Sequence, residues 1–172
     1  MPEVRIGELR LYYEAEGDGP GVILLHELGG STETWSGLRP RRVGAGFRVV
    51  ALDLRGAGRS DIPASPYALP DLADDVLRLM NALGLSQAFL VGLAVGGMLA
   101  LQLATECPGR VSGLVLLDTP LVVPEATATY ARRRAETVRR EGMNAVVDQS
   151  ISRSFPPPVA VACPQSGSAY RT

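Results

Sequence analysis

Residues 87–101 read Gln87-Ala88-Phe89-Leu90-Val91-Gly92-Leu93-Ala94-Val95-Gly96-Gly97-Met98-Leu99-Ala100-Leu101, and their reading decides the fold. The first five form an apolar run of strand length, and the last six open an apolar stretch of helical composition. Gly92 and Gly96 bracket a short turn between them. A strand that turns sharply into a helix needs glycine where backbones approach closely, and such a turn presents its central side chain, here Ala94, at the end of the strand. Nothing between Ser86 and Thr105 is charged, a length sufficient for a membrane span. Gly92-x-x-x-Gly96 also has the small-residue spacing of packed membrane helices. The turn nevertheless splits this segment into a strand and a helix of ordinary length, so no membrane association is expected.

Outward from this turn the pattern repeats. Gly21–Leu25, Phe47–Leu52 and Val111–Leu117 are further apolar runs, as expected for strands covered on both faces. Val4–Ile6 and Leu9–Tyr13 alternate enough for two opening strands, and Glu16–Pro20 is turn chemistry. Pro70 suits a first helical turn, and Asp71, Asp74 and Asp75 favour the positive end of its dipole. Leu72, Val76, Met80 and Leu83 share one face, and Gly84 ends the helix. From Gly97 to Thr105 the chain is apolar nearly all round, as for a buried helix, until Pro108-Gly109 stops it. This alternation predicts an α/β fold: a mostly parallel sheet flanked by helices, with right-handed crossovers.

After Thr119 the pattern changes. Glu125 to Glu141 is a polar helical stretch carrying Arg132, Arg133, Arg134, Arg139 and Arg140. A solvated helix face is the plainest reading, with an anion site or a lid as alternatives. The expected organisation is a core over residues 1–120, a partial helical lid or cap over 121–155, and a turn-rich, weakly structured tail over 156–172. There is no internal repeat.

The 172 residues are 46% hydrophobic and 20% charged, with a net charge of −1. That balance suits one globular domain and gives no reason to expect nucleic acid or an anionic membrane as partner. Cys107 and Cys163 match no metal spacing. Two free thiols in a reducing compartment are expected, with a single disulfide as the alternative. The N-terminus lacks a basic region followed by an apolar core, so no secretory signal is expected and a cytoplasmic setting is the default.

Three segments together resemble the α/β-hydrolase superfamily. The first is Leu24-Leu25-His26-Glu27-Leu28-Gly29-Gly30-Ser31, followed by Trp35. The second is Asp53-Leu54-Arg55-Gly56-Ala57-Gly58-Arg59-Ser60, similar to the family's Asp-x-Arg-Gly-x-Gly-x-Ser loop. The third is the turn at Gly92–Gly96, which resembles the Gly-x-Ser-x-Gly nucleophile elbow. Their order and their placement after buried strands match the family over roughly residues 3–120. Within it, the chain looks most like small bacterial carboxylesterases and enol-lactone hydrolases.

The resemblance implies acyl transfer to a serine activated by histidine and oriented by a carboxylate, in chain order serine, acid, histidine. Position 94 would carry the nucleophile, but it is Ala94. Asp118, ending the Val111–Leu117 strand, stands where some relatives place the acid; the alternative is that it only caps the following turn. The one histidine, His26, precedes the elbow, so a structural hydrogen-bonding role is expected of it. The oxyanion hole would use the backbone N–H groups of Val95 and Leu28. Glu27 replaces the family's usual glycine, which is expected to distort that turn or to crowd the site with a carboxylate. Asp53, Arg55, Gly56 and Gly58 look like a loop-bracing set, and Trp35 like packing beneath the loop. The chemistry implies no cofactor and no metal. The implied partner is a small ester, lactone or other acyl ligand.

The resemblance further implies that the first six of the family's eight strands are present, leaving Val111–Leu117 at a sheet edge. Self-association or a complementing segment is expected there. The expected outcome is a chain without hydrolytic activity, Ala94 having arisen by divergence or engineering. The alternatives are a non-catalytic binding or interaction protein on the same scaffold, and a half-enzyme completed by a partner.

Overall fold

The computed structural model describes residues 3–39 and 44–154. The chain divides into two compact units, Met1–Leu121 and Val122–Thr172.

The first unit is built on one six-stranded sheet. Its strands are β1 (Glu3–Ile6), β2 (Leu9–Glu16), β3 (Gly21–Leu25), β4 (Arg48–Leu52), β5 (Ala88–Leu93) and β6 (Val111–Leu117), and their order is β1-β2-β4-β3-β5-β6. The β1–β2 and β2–β4 pairs are antiparallel; the β4–β3, β3–β5 and β5–β6 pairs are parallel. Helix α1 (Leu69–Ala82) joins the β4 and β5 halves, and α2 (Val95–Glu106) follows β5 directly. The mostly parallel α/β architecture is therefore the one the alternating runs predict.

The continuous apolar runs are explained where both faces of the sheet are covered. All of β3 is buried. Ile23 and Leu25 point to one face with Leu72, Val76, Leu79, Leu99 and Leu103 of the two helices. Val22 and Leu24 point to the other, where they meet Val49, Ala51 and Trp35. The same reasoning fails at β6. Val115, Leu116 and Leu117 are 49%, 38% and 40% exposed, and β6 is the last strand of the sheet among the described residues.

One further expectation needs correcting. Asp75 does not serve only the dipole of α1: it is buried on the helix's inner face beside Val76 and Leu79. At the start of α1, Asp71 accepts a 2.8 Å hydrogen bond from the Ala68 amide.

The second unit contains α3 (Glu125–Glu141) and α4 (Asn144–Ser154). No residue of α3 is buried. Arg132 pairs with Glu125 at 2.8 Å, Arg140 pairs with its neighbour Glu141, and Arg134 bonds Ser150 of α4. Helix α4 has no counterpart in the periodicity reading. The tail over 156–172, including Cys163, lies outside the described residues. Among the described residues no helix is long and apolar enough to cross a membrane.

Candidate active site

Parallel strands bring their C-terminal ends to one side of the sheet. The connections after β3 and β5 leave in opposite directions, since β4 lies on one flank of β3 and β6 on the far flank of β5. Open α/β sheets bind ligands in the crevice at such a reversal of strand order. Here the position of such a crevice lies between the turn beginning at His26 and the turn centred on Ala94.

The Ala94 turn is tight and strained. Ala94 has φ 50° and ψ −111°, a conformation that costs a residue with a Cβ on the order of 1–3 kcal/mol. Its amide donates to the Leu117 carbonyl at 2.9 Å, and its carbonyl accepts from the Gly97 and Met98 amides at 3.0 and 3.1 Å. The flanking glycines are sterically required. A Cβ on Gly92 would strike the Gly96 carbonyl and the Gly97 amide, and one on Gly96 would strike the Leu25 and His26 carbonyls. The elbow is thus in backbone contact with the His26 turn. Val95, the first residue of α2, points its N–H out of the helix end with no intrahelical acceptor.

His26 is buried and both its ring nitrogens are engaged. The Leu54 amide donates to Nε2 at 3.0 Å, so Nε2 carries no proton and Nδ1–H donates to the Glu27 carbonyl at 2.7 Å. The ring therefore locks the β3 turn to the β4 loop and offers no nitrogen for proton transfer. At Glu27 the backbone does not adopt the conformation that only glycine tolerates. Glu27 keeps a negative φ, since Ala94 and Asp118 are the described non-glycine residues with positive φ. Its carboxylate accepts from Thr34 Oγ1 at 3.2 Å and lies over Gly30. The side chain that projects from this turn is Leu28, 79% exposed.

The Asp53 loop is braced from within. Asp53 is fully buried, and its carboxylate accepts from the Thr32 amide at 2.6 Å and the Arg59 amide at 2.8 Å. Ser60 Oγ donates to the Asp53 carbonyl at 2.6 Å and accepts from the Tyr12 amide at 3.0 Å. Gly58, at φ 53°, has the Asp53 carboxylate where a Cβ would stand. Gly56, at φ 77°, has the Tyr67 hydroxyl oxygen 2.6 Å from that position. Arg55 turns away from the crevice and grips Asp75 of α1 through Nε and Nη2, both at 2.6 Å. That side-chain bond raises the Arg55 guanidinium above its ordinary pKa.

Asp118 follows β6 directly, is exposed, and has φ 44°. Leu93 and Leu117 are register partners, so Ala94 and Asp118 are the next residue on each strand. A Cβ on Gly97 would meet the side chain of Thr119, so the start of α2 lies against the residue after Asp118. The structure thus gathers Leu28, Ala94, Val95 and Asp118 at the ends of three neighbouring strands. It sets His26, Asp53 and Arg55 behind them as bracing. Thr32 and Tyr12 belong to that bracing and were not singled out from sequence, and Asp75, read there only for the helix dipole, belongs to it as well. A carboxylate on the otherwise apolar face of α1, between Leu72 and Leu79, was the available signal for Asp75.

Comparison with known proteins agrees with this geometry. The model of the alpha/beta hydrolase fold family matches residues 20–144. The chain is 42% identical over 111 residues to a protein of Variovorax paradoxus named "Putative carbamate hydrolase RutD", a match covering 63% of this chain and 42% of that one. It is 30% identical over 142 residues to 3-oxoadipate enol-lactonase 2 of Acinetobacter baylyi, covering 83% of this chain and 52% of that one. The enol-lactonase structure from Burkholderia xenovorans superposes with a TM-score of 0.89 at 29% identity, over 99% of this chain and 66% of that chain. The chain thus spans about half the length of these curated relatives. On the sheet order, the glycine-bracketed elbow and the match over residues 20–144, the chain belongs to the α/β hydrolase fold family.

Proposed function

We propose that this scaffold is arranged for acyl chemistry of the ester or lactone type, and that the 172-residue chain binds such ligands without hydrolysing them. The observation that carries this reading is the backbone of Ala94. It holds the strained conformation that would aim a nucleophile into the crevice, yet its methyl group has no oxygen to attack a carbonyl and no proton to give up.

What remains is a binding geometry. An acyl carbonyl set against Ala94 would point its oxygen at the Val95 N–H and at the backbone N–H of Leu28, the arrangement that stabilises a developing oxyanion. Ala94 in place of a side chain with a hydroxyl leaves room for the carbonyl carbon. The likeness to proteins named as hydrolases and lactonases supports the acyl class. Proton transfer lacks a base: His26 spends both ring nitrogens on the backbone, and the sequence holds no second histidine.

Assays with p-nitrophenyl esters and γ-lactones test this. No turnover above buffer is expected for the chain or for Ala94→Ser. Saturable turnover by the unaltered chain would overturn the silent-site reading. Turnover by Ala94→Ser alone would show that some side chain present here serves as the base.

A further inference from the structure

We infer that the site selects neutral ligands with an apolar tail, that Leu28 is the residue that sets this preference, and that carboxylate-bearing acyl compounds are disfavoured. This rests on the acyl-binding reading above and names the ligand class within it.

The charges at the C-terminal end of the sheet carry the argument. The turns after β3, β4, β5 and β6 occupy residues 26–31, 53–61, 94–97 and 118–121. Their charged side chains are Glu27, Asp53, Arg55, Arg59, Asp61 and Asp118. Both cations are already committed. Arg55 holds Asp75 through two hydrogen bonds. Arg59 lies 4.2 Å from the Tyr12 ring centroid, donates to the Tyr12 hydroxyl at 2.6 Å and pairs with Glu33 at 3.2 Å. Asp118 is exposed beside the elbow. Asp53 is buried and Asp61 is held by Arg10, so a ligand carboxylate beside the elbow would meet the exposed Asp118, with no free cation among the described residues of these four turns, and like-charge juxtaposition disfavours binding.

Leu28 sits on the turn after β3, one of the two that flank Ala94, and it is 79% exposed. Leu121, four residues past the end of β6, is 76% exposed. Neighbouring strands lie roughly 5 Å apart, so the ends of β3 and β6 flank Ala94 at about that spacing on either side. An acyl tail leaving Ala94 therefore has apolar surface to cover, and each methylene it buries tightens binding roughly three- to fourfold.

Amide NMR titration of the whole chain with two γ-lactones tests the inference: one with a butyl side chain, one with a carboxymethyl side chain. The butyl lactone is expected to bind at least tenfold more tightly, shifting the Leu28 and Val95 amides. In Leu28→Arg the carboxymethyl lactone is expected to gain at least tenfold, and to lose that gain in high salt. The exposure of Leu28 leaves the fold of that variant intact, which circular dichroism would verify. Equal or tighter binding of the carboxymethyl lactone by the unaltered chain would overturn the selectivity while leaving acyl binding standing. Unchanged affinities in Leu28→Arg would remove Leu28 from the role. No binding of either lactone would defeat the acyl-binding reading itself, and this inference with it.

Discussion

Ala94 and Asp118 stand side by side, each one step beyond the register pair Leu93–Leu117, and both carry positive φ, 50° and 44°. They are the two described residues other than glycine in that region. Strain of this kind concentrates at functional sites. Here it marks the place where two adjacent strand ends open toward the crevice. Ala94→Gly removes the strained Cβ but adds freedom to the unfolded chain, a net gain of about 1 kcal/mol. Urea denaturation of the two proteins, compared at equal slope, measures it. A loss of stability would show that the Ala94 backbone is not strained.

Gly92→Ala and Gly96→Ala are expected to act in the opposite direction. Each places a Cβ on backbone atoms of a neighbouring segment, which cannot swing aside as a side chain would. A loss of about 3 kcal/mol or more is expected for each, and thermal unfolding would report it. A melting temperature within a degree or two of the parent would contradict the close approach.

His26→Ala removes a buried ring, orphans the Leu54 amide and frees the Glu27 carbonyl. A cost of about 3 kcal/mol is expected, combining the cavity with the unsatisfied donor. Hydrogen exchange should speed up at Leu54 first. Unchanged exchange there would contradict the locking role of the ring.

Acid should weaken the fold in part through Asp61. The Arg10 amide, and after it the Arg10 guanidinium, holds the Asp61 carboxyl below the usual carboxylate range. A carboxyl depressed in the folded state contributes stability that is present above its unfolded pKa of about 4. That contribution is lost as pH falls through the folded value. Stability measured from pH 6 down to pH 3 should therefore decline at the acid end, and Asp61→Asn should flatten part of that decline. Parallel profiles for the two proteins would remove Asp61 from the account.

The outer edge of β6 is expected to pair with a second copy. The strand has no charge and no proline, and three consecutive apolar residues are partly exposed; such an edge invites another strand. Sedimentation should show self-association that rises with concentration, and Val115→Lys should suppress it. Monodisperse monomers at high concentration would contradict this.

The fold was legible because chemistry and geometry agree at the elbow. Only glycine fits at Gly92 and Gly96, and only an apolar run survives on both faces of β3. The site was partly legible. Ala94, Val95, Leu28 and Asp118 follow from strand ends, which a sequence marks well. The bracing did not follow so readily, because ion pairs such as Arg55–Asp75 span 20 residues and depend on how α1 is rotated. Of the two outcomes expected at Glu27, the backbone one turns on its φ. Glycine's freedom matters only where φ is positive, and the turn meets that need at Gly29, φ 83°, rather than at Glu27. The edge position of β6 followed from the family resemblance and not from its own residues, since an apolar run reports what a strand needs while its neighbours decide whether that need is met.

The central claim is a site that still receives an acyl ligand but no longer cleaves it. One experiment tests both halves: titrating the butyl γ-lactone into the labelled chain while following the ring-opened product in the same sample. The account predicts shifts at the Leu28 and Val95 amides with the lactone intact. Ring-opened product formed at a rate proportional to protein, or no shift at either amide, would contradict it.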